Sequence, residues 1–234
     1  MFDAIAWCYD LGNHLLSAGL DHRWRSRAAA AAGAAPGKTV LDVCCGTGDM
    51  ALALLRRMGG RGRVIGCDFS RRMLGRARAK LAAAGLAGHA TFLEAAAEAI
   101  PVADGAADAA VCAWGLRNLA DPHRGLQEMV RVVRPGGRVV VLEFHRPAPG
   151  AFRLYFRRIL PTLGRWLSAT DAYAYLATSI EAFGPPEATV RLLEAAGIAE
   201  VRAEPLPGGV AAVYAGRVKQ RLHTPLSLDG RGMG

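Results

Sequence analysis

Lysine is nearly absent from this chain: 3 Lys stand beside 26 Arg in 234 residues. Acids are also scarce, 20 against 29 bases, which leaves a formal net charge of +9. No apolar run approaches the roughly 18 residues of a membrane-spanning helix. The opening MFDAIAWCYD has neither a basic start nor an apolar core, so no signal peptide is expected. The 5 Cys form no CxxC pair and no Cys/His metal spacing. A zinc site and a disulfide framework are therefore not expected, and a reducing cytoplasm is. The basic charge comes without an RNP, helix-turn-helix or zinc-finger signature, so nucleic acid is not an expected partner. An anionic membrane surface or an anionic ligand stays open. What is present, 52% hydrophobic residues with 28 Gly and 12 Pro, is a globular composition.

Short β-branched runs alternate with Ala/Leu/Arg-rich stretches. The expected strands are 39–45, 63–69, 90–94, 107–114 and 138–144, most of them nearly continuously apolar, as strands covered on both faces require. Helices are expected over 49–58, 70–84 and 121–133, the second capped by Ser70 and the third stopped by Pro135-Gly136-Gly137. A later helix over 187–196 precedes two strands, 200–204 and 210–216, around Leu206-Pro207-Gly208-Gly209. The pattern is α/β: a doubly wound, seven-stranded, mostly parallel sheet closed by a C-terminal antiparallel hairpin. One domain is expected over 1–217, with a helical extension over 1–36, an insertion over 148–185 that covers a substrate, and a disordered tail over 218–234.

The strongest local signal is Leu41-Asp42-Val43-Cys44-Cys45-Gly46-Thr47-Gly48-Asp49, a strand running into a Gly-x-Gly turn that opens a helix. Asp68 closes the next strand, where its carboxylate can accept both ribose hydroxyls of an adenosine. Gly46-x-Gly48-x-x-Ala51 also fits the dinucleotide fingerprint. Asp42 and Asp49 tilt the choice from NAD toward S-adenosylmethionine: carboxylates at this turn repel a pyrophosphate and suit the ammonium and sulfonium of the latter. Cys44 and Cys45 read as small apolar strand residues, and Met73 and Leu74 as packing under the adenine or as core.

LDVCCGTGDMAL, VIGCDFSRRML, WGLRNLAD, EMVRVVRPGGRVVVLEF and YAYLATSIEAF closely resemble the quinone-biosynthesis C-methyltransferase family. The opening FDAIAWCYDLGNHLLSAGLDHRWR and the later LPGGVAAVYAG extend the resemblance to about residue 217. It implies a class I S-adenosylmethionine-dependent methyltransferase fold and C-methylation of a prenylated quinol, demethylmenaquinol or the ubiquinone precursor. Alternatives are a secondary-metabolite methyltransferase of the same descent and a non-catalytic adenosyl-binding paralogue. By position, the cofactor residues are Asp42, Gly46, Thr47, Gly48, Asp68, Phe69, Ala96, Ala97 and Ala113. The family's Gly-Asp-Ala after strand three is Ala95-Ala96-Ala97 here, so the carboxylate that takes the adenine amino group is missing at Ala96.

Methylating a ring carbon requires an ionising neighbouring hydroxyl, hence a base or a cation near the acceptor. Arg117 and Asn118, just past the fourth strand, are the candidates for stabilising and orienting it; a structural Arg117, paired with a loop carbonyl or Asp121, is the competing reading. His145 is a candidate base or a solvent-facing loop residue. Tyr173 and Tyr175, with Asp171 nearby, are candidate substrate contacts or packing. Glu143 orients the cleft wall or pairs with an arginine, and Trp114 walls the pocket. An amphipathic stretch over 152–167 reads either as an interfacial helix, giving peripheral attachment to the inner face of the membrane, or as a lid helix whose apolar face packs on the sheet. A homodimer stays open.

Overall fold

The computed structural model describes residues 20–145, 178–180, 183–207 and 209–220. Seven strands run β1 Thr39–Val43, β2 Arg63–Asp68, β3 Ala90–Glu94, β4 Ala107–Ala113, β5 Val133–Phe144, β6 Ile198–Pro205 and β7 Ala211–Val218. They form one sheet in the order β3-β2-β1-β4-β5-β7-β6. The first five are parallel, and β7 lies antiparallel to both neighbours. The order reverses between β1 and β4, and a crevice opens beyond the carboxyl ends of such strands.

Helices cover both faces. Helices α1 Asp21–Ala31, α2 Asp49–Arg57 and α3 Arg71–Ala83 lie on one side, where Trp24, Ala28, Leu54, Leu55, Leu74 and Leu81 share a core with Val40 and Val111. Helices α4 Pro122–Val132 and α5 Pro186–Ala195 lie on the other, where Leu126, Met129 and Leu193 pack with Leu41, Val139 and Val141. Inward residues of one strand thus alternate between two cores: Val40 faces the first and Leu41 the second. Ala28 and Ala29 are fully buried, so these small side chains have a packing role in α1. The Ser70 hydroxyl accepts from the Met73 amide and caps α3, and Asp121 caps α4 by accepting from the Arg124 amide.

Several strand boundaries differ from expectation. β1 and β4 stop before Cys44 and Trp114, because both residues take a left-handed backbone, φ 55° and 56°. β5 begins at Val133, not Arg138: Val133 already pairs with Ala107, and Pro135-Gly136-Gly137 is absorbed as an irregularity in the ladder. In the terminal hairpin, Glu200 has φ 55° and the register slips between Ala199 and Arg202, so β6 is a longer, bulged strand. No helix among the described residues is long and apolar enough to cross a membrane.

Candidate active site

The turn after β1 sets the site. Gly46 has φ 52° and Gly48 has φ 84°. A Cβ on Gly46 would meet nothing within 4 Å, while one on Gly48 would lie 3.0 Å from the Cβ of Ala77 on α3. Gly48 therefore lets two helices close on each other, and Gly46 leaves its space to a ligand. Asp68, at the end of β2, holds the turn in place: it accepts from the Gly46 amide at 2.9 Å and from the Ser70 amide at 2.9 Å.

A cavity of about 210 Å³ opens over these strand ends. Gly46, Asp68, Phe69 and Met73 form one wall, Ala95 to Glu98 the outer end, and Ala113 to Gly115 with Asn118 to Ala120 the wall beyond β4. Cys44 and Cys67 line its floor. The Cys112 side chain and burial together push the Cys44 thiol well up, so Cys44 is an apolar wall rather than a nucleophile. Phe69 is 62% exposed at the rim.

Of the residues singled out in the sequence, Gly46, Asp68, Phe69, Ala96, Ala97, Ala113 and Asn118 line this cavity. Asp42, Thr47 and Gly48 sit behind it. Asp42 is wholly buried, and among the described residues neither carboxylate oxygen meets a donor in good geometry. Burial and the neighbouring Asp68 push its carboxyl up to about 8, against the opposing pull of Arg25 and of the Ala51 amide. Thr47 accepts from Lys80 Nζ at 3.1 Å, and Lys80 also holds Asp49 at 2.5 Å.

Arg117 lies beside the cavity, and its main partner is not Asp121. Its Nη1 donates to Glu143 Oε1 at 2.5 Å and to the Trp114 carbonyl at 3.1 Å, and its Nε to Ser179 Oγ at 3.3 Å. Its backbone amide also donates to Glu143, 3.3 Å. Both side chains of this pair are buried. Asn118 Nδ2 donates to the same Trp114 carbonyl at 3.1 Å. His145 is buried at the end of β5, not solvent-facing. Tyr173, Tyr175 and Asp171 lie outside the described residues, as does the 152–167 stretch.

Two neighbours of the site carried no signal in the sequence. Arg25, on α1, is buried between Asp21 and Asp49 and lies 4.7 Å over the Trp114 ring. Glu98 stands at the outer end of the cavity. Only tertiary packing brings Arg25 to Asp49 after the β1 turn and Glu98 to the amides of Ala120 and Asp121.

The model of the ubiE/COQ5 methyltransferase family matches residues 1–218. The chain belongs to that family. It is 50% identical to a demethylmenaquinone methyltransferase of Thermus thermophilus over 92% of this chain and 99% of that protein. It is 43% identical to one of Deinococcus radiodurans over 92% of this chain and 90% of the other. Among solved structures, a SAM-dependent methyltransferase from Aquifex aeolicus matches at 22% identity and TM-score 0.57, over 80% of this chain and 85% of that one. As a ubiE/COQ5 member the chain is a methyltransferase, and S-adenosylmethionine is its methyl donor. The site fits that molecule on two counts: the space that a Cβ on Gly46 would fill is open, and the buried Asp42 carboxylate, with Arg25 as its nearby cation, accepts no hydrogen bond in good geometry among the described residues and so has acceptor capacity left for an ammonium.

Proposed function

We propose that this ubiE/COQ5 methyltransferase transfers a methyl group to a ring carbon of demethylmenaquinol, a prenylated quinol in its reduced form. The observation that carries this reading is the cavity over β1, β2 and β4, bounded by Asp68 on one side and the Gly115–Asn118 turn on the other. The names of the relatives supply the naphthoquinone nucleus. Bound S-adenosylmethionine supplies an electrophilic methyl group on a sulfonium. An oxidised quinone ring is electron-poor and will not attack such a centre, whereas an ionising quinol places negative charge on the ring carbon beside its hydroxyl.

Asp68 holds the ribose hydroxyls, and Asn118 orients the acceptor. Arg117, committed to Glu143, keeps the turn that carries Asn118 in place and acts as a positioning residue. His145, buried at the end of β5 and set back from the cavity's lining, is the base in this reading. Methylation of demethylmenaquinone should appear only when a reductant keeps it as quinol, and should rise with pH as the hydroxyl ionises. Equal methylation of the oxidised quinone with reductant excluded would overturn the reading.

The acceptor's apolar tail resides in a bilayer, so the enzyme docks on a membrane surface. Charge segregation supports this. Residues 50–93 hold nine basic residues and a single acid, Asp68, a formal +8 of the chain's +9. Arg56, Arg57, Arg61, Arg63, Arg71, Arg72, Arg76 and Arg78 are all exposed on or between α2 and α3. Basic side chains near an anionic leaflet contribute about 1 kcal/mol each, and salt screens them. Flotation should carry the enzyme with phosphatidylglycerol-containing vesicles at low salt and release it at high salt. Retention on neutral vesicles regardless of salt would remove the electrostatic docking.

A further inference from the structure

The outer end of the cavity is where an adenine would lie, because Asp68 on β2 fixes the ribose and β3 is the next strand outward. Ala95, Ala96 and Ala97 offer no side-chain acceptor there. Asp68 and Glu98 are the only charged side chains among the described residues of the cavity wall.

Glu98 is half-committed. Its Oε1 accepts from the amides of Ala120 at 3.1 Å and Asp121 at 3.3 Å. Its Oε2 takes no hydrogen bond among the described residues. The backbone N–H groups of Ala96 and Ala97, on the same wall, find no acceptor there either. This end of the cavity thus offers a fixed carboxylate oxygen beside spare N–H donors. The Watson–Crick edge of adenine needs that combination: its exocyclic amino group donates, and its ring N1 accepts. Hypoxanthine, with a 6-oxo group and an N1–H, presents the reverse.

Resting on the methyl-donor reading above, we infer that Glu98 is the residue that reads the adenine amino group, supplying through Oε2 the carboxylate missing at position 96. Because Oε1 is bonded to the loop after the Gly115–Asn118 turn, the same side chain ties adenine recognition to the wall of the cavity beyond β4. A site that merely surrounds a base with apolar residues discriminates poorly between isosteres. One with a fixed acceptor opposite a donor discriminates strongly, since the wrong base leaves buried polar groups unpaired.

The test compares S-adenosylhomocysteine with S-inosylhomocysteine by calorimetric titration of the full chain, wild type and Glu98→Gln. The glutamine keeps an oxygen for the Ala120 and Asp121 amides and turns an N–H toward the base. The wild type is expected to prefer the adenosyl ligand by at least a hundredfold. In Glu98→Gln that ratio should shrink at least tenfold, the adenosyl ligand weakening while the inosyl ligand holds or improves, with the melting temperature of the free protein unchanged. A ratio equal in the two proteins, or a wild type that takes both ligands alike, overturns the role of Glu98 and leaves the methyl-donor reading standing. A wild type that binds neither ligand overturns both. If Glu98→Gln proves unstable, Ala96→Asp in the otherwise wild-type chain is the second variant: with Glu98 already reading the amino group, a second carboxylate at position 96 should change the adenosyl-over-inosyl ratio less than threefold, and a gain of tenfold or more overturns the assignment.

Discussion

Arg117→Ala is expected to destabilise the fold by about 3–5 kcal/mol, the usual cost of leaving a buried charge without its partner. Glu143 is 0% exposed and loses the 2.5 Å guanidinium contact, keeping, among the described residues, only the amides of Arg117 and Phe144. Among the described residues, the Trp114 carbonyl keeps only Asn118 as a side-chain donor. The turn that lines the cavity then loosens, so turnover and donor affinity should fall together, unlike a loss confined to the chemical step. Urea unfolding at pH 7 measures the first effect and titration with S-adenosylhomocysteine the second. Replacing both partners with apolar residues, Arg117→Met with Glu143→Leu, should recover much of the stability and none of the activity. A loss below about 1 kcal/mol in Arg117→Ala would mean that Glu143 finds other compensation.

Asp42→Asn should act in the opposite direction on stability. The Asp42 carboxyl titrates near 8 in the folded chain and at its ordinary value, 3.8, when unfolded. Between those values the folded state holds the extra proton, so stability contributed by this group declines as pH rises from about 4 to 8 and levels off above. The neutral amide removes that slope: the variant should melt at a higher temperature than wild type at pH 8, with the gap closing toward pH 4. Cofactor affinity should move the other way. The methionine ammonium and the sulfonium favour the charged carboxylate, so wild-type binding should strengthen with rising pH, and the variant should bind at least tenfold more weakly and lose that dependence. Thermal melts and titrations across pH 5 to 8.5 check both; an unchanged affinity in Asp42→Asn would detach Asp42 from the cofactor.

The sheet was legible because its strands are short, β-branched and buried on both faces, so Thr39–Val43 and Arg63–Asp68 stand out as apolar runs bounded by turn residues. The ends of β1 and β4 were less so. Nothing in Cys44 or Trp114 advertises a left-handed backbone, which glycine or asparagine would signal and which here is imposed by the surrounding packing. The turn around Gly46, Gly48 and Asp68 was readable because backbone geometry and a carboxylate at a strand end are local features. Arg25 was not: its place over Trp114 depends on α1 packing against α2, a contact with no local spacing behind it. Glu98 sits on an irregular segment, and only the return of the chain at Ala120 shows what its carboxylate faces. The sequence offered Glu143 an arginine and Arg117 a loop carbonyl or Asp121, but not each other: their pairing crosses 26 residues and has no local spacing behind it.

The placement of β7 bears on how the chain reaches this fold. β5 has Val139, Val140 and Val141 in succession, and its outer edge is covered only by β7, through Gly216, Ala215 and Tyr214. Those partners are synthesised some seventy residues later, and β6, which comes first, has no place in the sheet until β7 separates it from β5. A nascent or truncated chain ending before Ala211 therefore presents a bare valine edge of the kind that recruits other strands. Assembly of the last third of the sheet must wait for nearly the whole of the described chain, so premature release from the ribosome yields aggregation-prone fragments rather than a smaller working enzyme.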